Sequence, residues 1–273
     1  MIRNKLRELW AAGRPTLNGW LSIGNPFTAE IMAAQGYDSL TVDAQHGALD
    51  YSSVLPMLQA MRASGVVPMA RVPWLEPGII MKVLDAGAYG VICPMVNTAA
   101  QAAEFVSCLR YPPLGQRSFG PTRANFSAGA NYAAEANGEI LAFAMVETAE
   151  AMQNLDAIAA TPGLDGIYVG PADLTLSLTQ GRLAPAFDRE EPEMLAALRE
   201  IVAACKRHGI RAALHCGTPA YAARAIGWGF DMTTVGGDAR LLAAAAAESV
   251  SEFRALLSEL SDRPAEADVK GGY

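Results

Sequence analysis

Short runs rich in apolar and β-branched residues alternate with helical patterns through most of this chain, and that rhythm constrains the fold more than any other feature. The runs at 17–22, 39–43, 67–71, 90–93, 142–147, 166–169, 212–216 and 232–235 read as strands. Between them lie segments with apolar residues at three- and four-residue spacing, such as SSVLPMLQAMRASG and PEMLAALREIVAACKRHG. Several end in glycine, the residue that most easily takes the left-handed backbone of a helix stop: Gly36, Gly65, Gly87 and Gly209. Parallel strands buried on both faces and alternating with helices predict an α/β fold: a single (β/α)8 barrel. A doubly wound open sheet is the structural alternative.

The barrel is expected to fill residues 1–260 with its C-terminal helical extension, followed by a polar tail at 261–273 (SDRPAEADVKGGY). Two segments interrupt the alternation. Residues 111–138 carry Pro112, Pro113, Gly115, Gly120, Pro121 and Gly129, too many breakers for one long helix. Residues 175–188 form the other excursion. Both are expected to leave from the carboxyl ends of strands, where barrel enzymes build their sites.

Composition excludes several roles. Hydrophobic residues make up 51% of the 273, ample for one large core. With 21 basic against 28 acidic residues and no basic run, nucleic acid is not an expected partner. No stretch offers the roughly 18 apolar residues of a membrane span, and the start lacks a signal peptide's apolar core. Cys93, Cys108, Cys205 and Cys216 show no metal-binding spacing and read as reduced thiols of a cytoplasmic protein.

On a barrel, polar residues at strand ends converge on one mouth. Asp43 and His46 follow the second run, Arg71 ends the third, and Glu147 ends the fifth. Asp173 follows the sixth in Gly170-Pro171-Ala172-Asp173, and His215 lies near the end of the seventh. Glu147 and Asp173 are the candidate metal ligands: two hard carboxylates that leave positions open suit Mg2+ or Mn2+. Their alternative use is as ordinary acids at helix starts. Arg71 follows VVPMA, where an unpaired cation is costly; it either stabilises enolate charge or pairs with a rim carboxylate. An imidazole suits proton transfer, so His46 is a candidate base, with Asp43 three residues earlier to orient it; an exposed loop histidine is the plainer reading. Asp85 is another partner for it if a loop or a subunit brings the two together. The backbone N–H groups after Gly170 suit a substrate carboxylate. The four lysines, Lys5, Lys82, Lys206 and Lys270, avoid the predicted strand ends, which argues against a Schiff base and leaves a metal as electron sink. LGQRSFGP lacks the spacing and lysine of a phosphate loop, and no dinucleotide fingerprint follows the first run.

The pieces TVDAQHG, PMARVP, LDAGAYGVICPMV, YPPLGQRSFG, MVET and YVGPADL, in this order, resemble the class II pyruvate aldolases of the HpcH/HpaI family. The resemblance implies a (β/α)8 barrel, a divalent metal (Mg2+ or Mn2+, with Co2+ a further fit) and reversible aldol chemistry on a 2-oxo acid and an aldehyde. It implies His46 as catalytic base, Asp85 as the acid that raises its basicity, and Arg71 as stabiliser of the enolate. It also implies Glu147 and Asp173 as metal ligands, Ala172 and Asp173 as backbone contacts to the carboxylate, and Trp20 as a pocket wall. A homo-hexamer follows, with the helix at 241–257 as an interface. Two residues depart from the pattern. Gln45 stands where family members often carry Glu, and Met145 where many carry a substrate-contacting Gln. The rival readings are a CoA-ester lyase on a related barrel and a catalytically silent barrel serving as an assembly module.

Overall fold

The computed structural model describes residues 1–261. Eight parallel strands, β1 (Thr16–Leu21), β2 (Ser39–Asp43), β3 (Val67–Arg71), β4 (Gly90–Cys93), β5 (Leu141–Val146), β6 (Gly166–Val169), β7 (Arg211–His215) and β8 (Met232–Gly237), close in chain order into a barrel. This is the expected (β/α)8 architecture; closure between β1 and β8 removes the edges that an open sheet would keep. Strands β2, β3, β4 and β6 have the expected limits. β1, β5 and β7 each begin and end one residue earlier than the apolar runs suggest. At β1 and β7 the first residue already pairs across the sheet, Thr16 with Met232 and Arg211 with Gly166.

The helix stops behave as glycine chemistry predicts. Gly36, Gly65, Gly87 and Gly209 have φ of 91°, 77°, 103° and 67°. At Gly209 the backbone N–H returns to the carbonyls of Cys205 and Lys206, ending the helix Pro192–His208. Side chains of the strands and of the helices around them form one apolar core, with Ile92, Phe143, Ala144 and Ile167 fully buried.

The excursion at 111–138 lies elsewhere than expected. It follows the helix Ala99–Leu109 and feeds into β5, so it covers the amino-terminal face of the barrel, not the mouth. Its breakers divide it into the short helices Thr122–Ala128 and Tyr132–Glu139. That face is also closed by the helix Lys5–Ala11: Arg7 and Arg110 both donate to Asp165, at 2.6 and 2.8 Å. The second excursion does reach the carboxyl face. The helix Pro171–Leu178 takes up its beginning, and the loop 179–191 follows.

The chain divides into two compact units, Met1–Asp238 and the segment from Ala239 onward. The helix Asp238–Ser261 carries Leu242, Val250, Phe253, Leu256 and Leu260 exposed along its length. Past Ser261, the tail expected at 261–273 lies outside the described residues. Among the described residues no helix is long and apolar enough to cross a membrane. The four cysteines are free, with Cys93, Cys205 and Cys216 buried.

Candidate active site

Strand register assembles the site. Asp43 and Arg71 are paired residues at the ends of β2 and β3. Arg71 donates from Nε to Asp43 Oδ1 at 2.9 Å and from Nη2 to Oδ2 at 2.6 Å. The ion pair with a rim carboxylate, one of the two uses foreseen for Arg71, is therefore present. It leaves the guanidinium available, since Nη1 has no protein partner among the described residues. The Trp20 indole donates to Asp43 Oδ2 at 3.0 Å, and the Arg71 guanidinium lies 4.8 Å from the Trp20 ring centroid. Trp20 thus touches both members of the ion pair. Burial alone would raise the Asp43 pKa. The Arg71 hydrogen bonds and charge, with donors from Trp20 and the His46 backbone, outweigh it and hold the carboxyl below its ordinary value.

Asp43 also shapes the loop carrying His46. Its Oδ1 accepts from the backbone N–H groups of Gln45 and His46 at 3.1 and 3.2 Å, and its carbonyl accepts from Gly47. Asp43 therefore orients His46 through the main chain and not through the imidazole. The His46 side chain is exposed at the rim. Gln45 Oε1 is buried without a hydrogen-bond partner, so this departure from the family pattern leaves an unused acceptor beside the loop.

Glu147 follows β5 and is only 2% exposed. Its Oε1 accepts from the Met95 backbone N–H at 2.8 Å, which Met95 presents from a left-handed conformation (φ 56°). On the other side lies Gly170, the residue after β6. A Cβ there would stand 2.2 Å from Glu147 Oε2 and 2.9 Å from the Met145 methyl, so only glycine admits the carboxylate. Burial is the main cause that pushes the Glu147 pKa up to about 7. The Asp173 charge adds to the rise, while the Met95 N–H and the more distant Arg71 oppose it. An acid so displaced is short of positive charge.

Asp173 is the third residue of the helix Pro171–Leu178, which has no side-chain cap. The first helical bond runs from Leu174 N–H to the Gly170 carbonyl, which leaves the Ala172 and Asp173 N–H groups without a helical partner. Among the described residues no three His, Cys, Asp or Glu side chains gather around one point. The candidate ligands Glu147 and Asp173 follow the carboxyl ends of the neighbouring strands β5 and β6, and two such carboxylates suit a hard cation whose other positions go to water and substrate oxygens.

Asp85 is not brought to His46 within the chain. It ends the helix Pro77–Asp85 and so lies at the amino-terminal face, whereas His46 follows the carboxyl end of β2. Its carboxylate instead accepts from Arg117 Nη2 at 2.7 Å, and the Arg117 guanidinium rests 4.5 Å from the Tyr111 ring centroid.

The structure adds residues that the sequence reading passed over as sites. Tyr168 on β6 is fully buried, and its hydroxyl lies 3.1 Å from His215 Nδ1 and 2.6 Å from Thr234 Oγ1. His215 lies 4.8 Å from the Trp20 ring, and Phe187 from the loop 179–191 stacks on it at 4.8 Å. A single tyrosine inside an apolar strand reads as core; only its pairing register with β7 and β8 gives it polar company.

A closed barrel with an ion pair, a rim histidine and two carboxylates at its carboxyl end defines an enzyme. Residues 18–245 match the HpcH/HpaI aldolase/citrate lyase family. The hydroxypyruvate/pyruvate aldolase of Rhizorhabdus wittichii is 41% identical over 253 residues, covering 93% of this chain and all of that protein. The 5-keto-4-deoxy-D-glucarate aldolase of Klebsiella pneumoniae is 35% identical, covering 92% and 97%. A solved HpcH/HpaI aldolase/citrate lyase family protein from Burkholderia cenocepacia superposes with a TM-score of 0.84 at 33% identity, covering 92% and 99%. This chain belongs to the HpcH/HpaI aldolase/citrate lyase family, and it is a carbon–carbon lyase. Aldolases of this family in general depend on a divalent metal ion.

Proposed function

We propose that the protein catalyses reversible aldol addition and cleavage of 2-oxo acids, joining pyruvate or hydroxypyruvate to an aldehyde, with a divalent cation held by Glu147 and Asp173. The observation that carries this reading is Glu147: a buried carboxylate beside a second acid, seated against a glycine and pushed up to about 7. Oxygen donors of this kind favour Mg2+ or Mn2+, with Co2+ also fitting. When bound, such a cation supplies Lewis acidity that stabilises negative charge on a substrate oxygen.

The protein's own groups do the rest. The Ala172 and Asp173 N–H groups receive the carboxylate of the 2-oxo acid at a helix start. Arg71 Nη1 donates to the 2-oxo oxygen. As a proton leaves C3 and charge grows on that oxygen, the guanidinium is already in place because Asp43 holds its other edge. His46 takes the C3 proton. When C3 bonds to the aldehyde carbon, the aldehyde oxygen gains charge and His46 returns the proton to it; cleavage runs the same transfers backwards. Trp20 screens the ion pair from water.

Asp85 serves as the acid that supports His46 only across a subunit boundary, toward His46 of the partner subunit. The protein is then a homo-oligomer, as the hexamer expected from the resemblance requires, with the exposed apolar residues of Asp238–Ser261 as a contact.

The test is turnover of pyruvate and hydroxypyruvate against an aldehyde panel, with product analysis, after chelation and again with Mg2+, Mn2+ or Co2+ added. Activity should vanish on chelation and return with the ion. Turnover that survives exhaustive chelation overturns the cation assignment.

A further inference from the structure

On the amino-terminal face of the barrel, opposite the mouth, two adjoining hollows of about 150 and about 350 Å³ share Arg62, Arg123 and Ser127 on their walls. Val67 and Pro68, which open β3, line the smaller one and fix its place in the fold. The charged side chains on these walls are all cations: Arg3, Lys5, Arg62 and Arg123. Arg3 and Lys5 are neutralised from outside the hollows, by Glu139 at 2.9 Å and Asp38 at 3.2 Å. Arg62 and Arg123 have no carboxylate partner among the described residues, although the chain carries 28 acidic residues against 21 basic ones. Their hydrogen bonds go to main-chain carbonyls. Arg62 reaches Phe126 at 3.5 Å, and Arg123 reaches Leu58 at 3.3 Å and also Ala86.

The recess is built around these cations. The Arg123 guanidinium comes from the helix Thr122–Ala128 and rests against Gly87. A Cβ at Gly87 would stand 2.4 Å from Arg123 Nη1 and 2.9 Å from Ser127 Oγ, so glycine is what admits both groups. Carbonyls satisfy N–H groups but do not cancel charge. Burial first, and the Arg62 charge after it, hold the Arg123 guanidinium below its ordinary value. An anion bound to both arginines relieves that repulsion, because its charge opposes each of theirs. Guanidinium forks match oxyanions, and the Ser127 hydroxyl and Gln59 amide on the same wall add neutral donors. Size limits the ligand. Small-molecule sites run from about 300 to about 1,000 Å³, which puts the larger hollow at the small end.

We infer that this recess is a second binding site, which takes a small doubly charged oxyanion at a face the aldol chemistry does not use. Two guanidiniums without a carboxylate match two negative charges, whereas a singly charged ion leaves one of them uncompensated. Inorganic phosphate and a short dicarboxylate share this chemistry. The inference stands apart from the aldol reading, since none of these residues has a part in that mechanism.

The test is isothermal titration calorimetry of the full chain with Mg2+ present, at low ionic strength, using inorganic phosphate, succinate and, as the singly charged control, acetate. Phosphate or succinate should bind saturably, and the tighter of the two names the source. Acetate should bind about tenfold more weakly or less. Arg62→Ala should weaken the dianion about tenfold or more, the loss of one charge-assisted contact, and Arg62→Glu should abolish binding. Arg62 is exposed, so neither substitution disturbs the core, and melting temperatures equal to wild type check this. Aldol turnover of both variants in anion-free buffer should match wild type. Arg71→Lys alters the mouth alone and should leave the binding unchanged. Absence of saturable binding by either dianion overturns the inference. So does binding that survives in both Arg62 variants, or that is lost in Arg71→Lys, because the anion then sits elsewhere. Acetate binding as tightly as the dianions overturns the requirement for two charges.

Discussion

Replacing Glu147 by Gln in the metal-free protein should change how stability depends on pH. The carboxyl ordinarily titrates at 4.5 and is pushed up to about 7 in the fold, with burial as the main cause. The folded state therefore holds a proton that the unfolded state has released, across the window from about 4.5 to about 7. Stability is highest below that window and falls as pH rises through it, since ionisation strands a buried charge. At about 1.4 kcal/mol per pH unit, the gap amounts to about 3 kcal/mol by pH 8. For a domain of this size that is a melting shift of roughly 6–12 °C. The assay is urea or thermal unfolding of both proteins at pH 4.5 and pH 8, with chelator present. Glu147→Gln should be close to wild type at the acid end and more stable by about that amount at pH 8. Mn2+ should restore the wild-type protein above pH 7 and leave the variant unmoved, and the wild-type affinity should weaken about tenfold per pH unit below 7. Parallel stability profiles in the absence of metal would refute the burial argument, and Mn2+ stabilising the variant equally would refute the cation site.

The other predictions concern geometry. Arg71→Lys keeps a charge but loses the two-pronged contact with Asp43, so kcat should fall about a hundredfold in steady-state assays; near-wild-type turnover would remove Arg71 from the mechanism. Gly170→Ala places a Cβ against Glu147 Oε2 and should cost about 1–3 kcal/mol in urea unfolding, with weaker Mn2+ binding by titration. Unchanged values would show that the carboxylate need not sit there. Asp85→Asn should lower kcat about 10- to 100-fold. Mixed oligomers of Asp85→Asn and His46→Ala should turn over faster than either variant alone, because some sites then combine two intact residues from different subunits. Failure to do so, with mixing shown by mass spectrometry, would place Asp85 outside the catalytic unit.

Periodicity and strand-end chemistry made much of this legible. Local patterns suffice for β2, β3, β4 and β6, because each is a short apolar run that begins a few residues after a glycine stop, Gly36, Gly65, Gly87 and Gly163. Once a closed barrel is accepted, Asp43, Arg71, Glu147 and Asp173 must share a face, since all follow carboxyl ends. What the order of residues could not convey is which atoms meet. Asp43 grips Arg71 and Trp20 because β1, β2 and β3 stand in one register, and it touches the His46 loop only through the backbone. The segment at 111–138 looked like a mouth loop because its breakers say nothing about which side of a helix they follow. For Asp85 the sequence left open whether a loop or a subunit would bring it to His46, and a helix returning antiparallel to its strands delivers its last residue to the opposite end of the same barrel. Tyr168 and His215 acquire their polarity from partners 66 and 47 residues away. Hydrogen-bond partnership is a property of networks in space, and pattern along a chain carries no record of it.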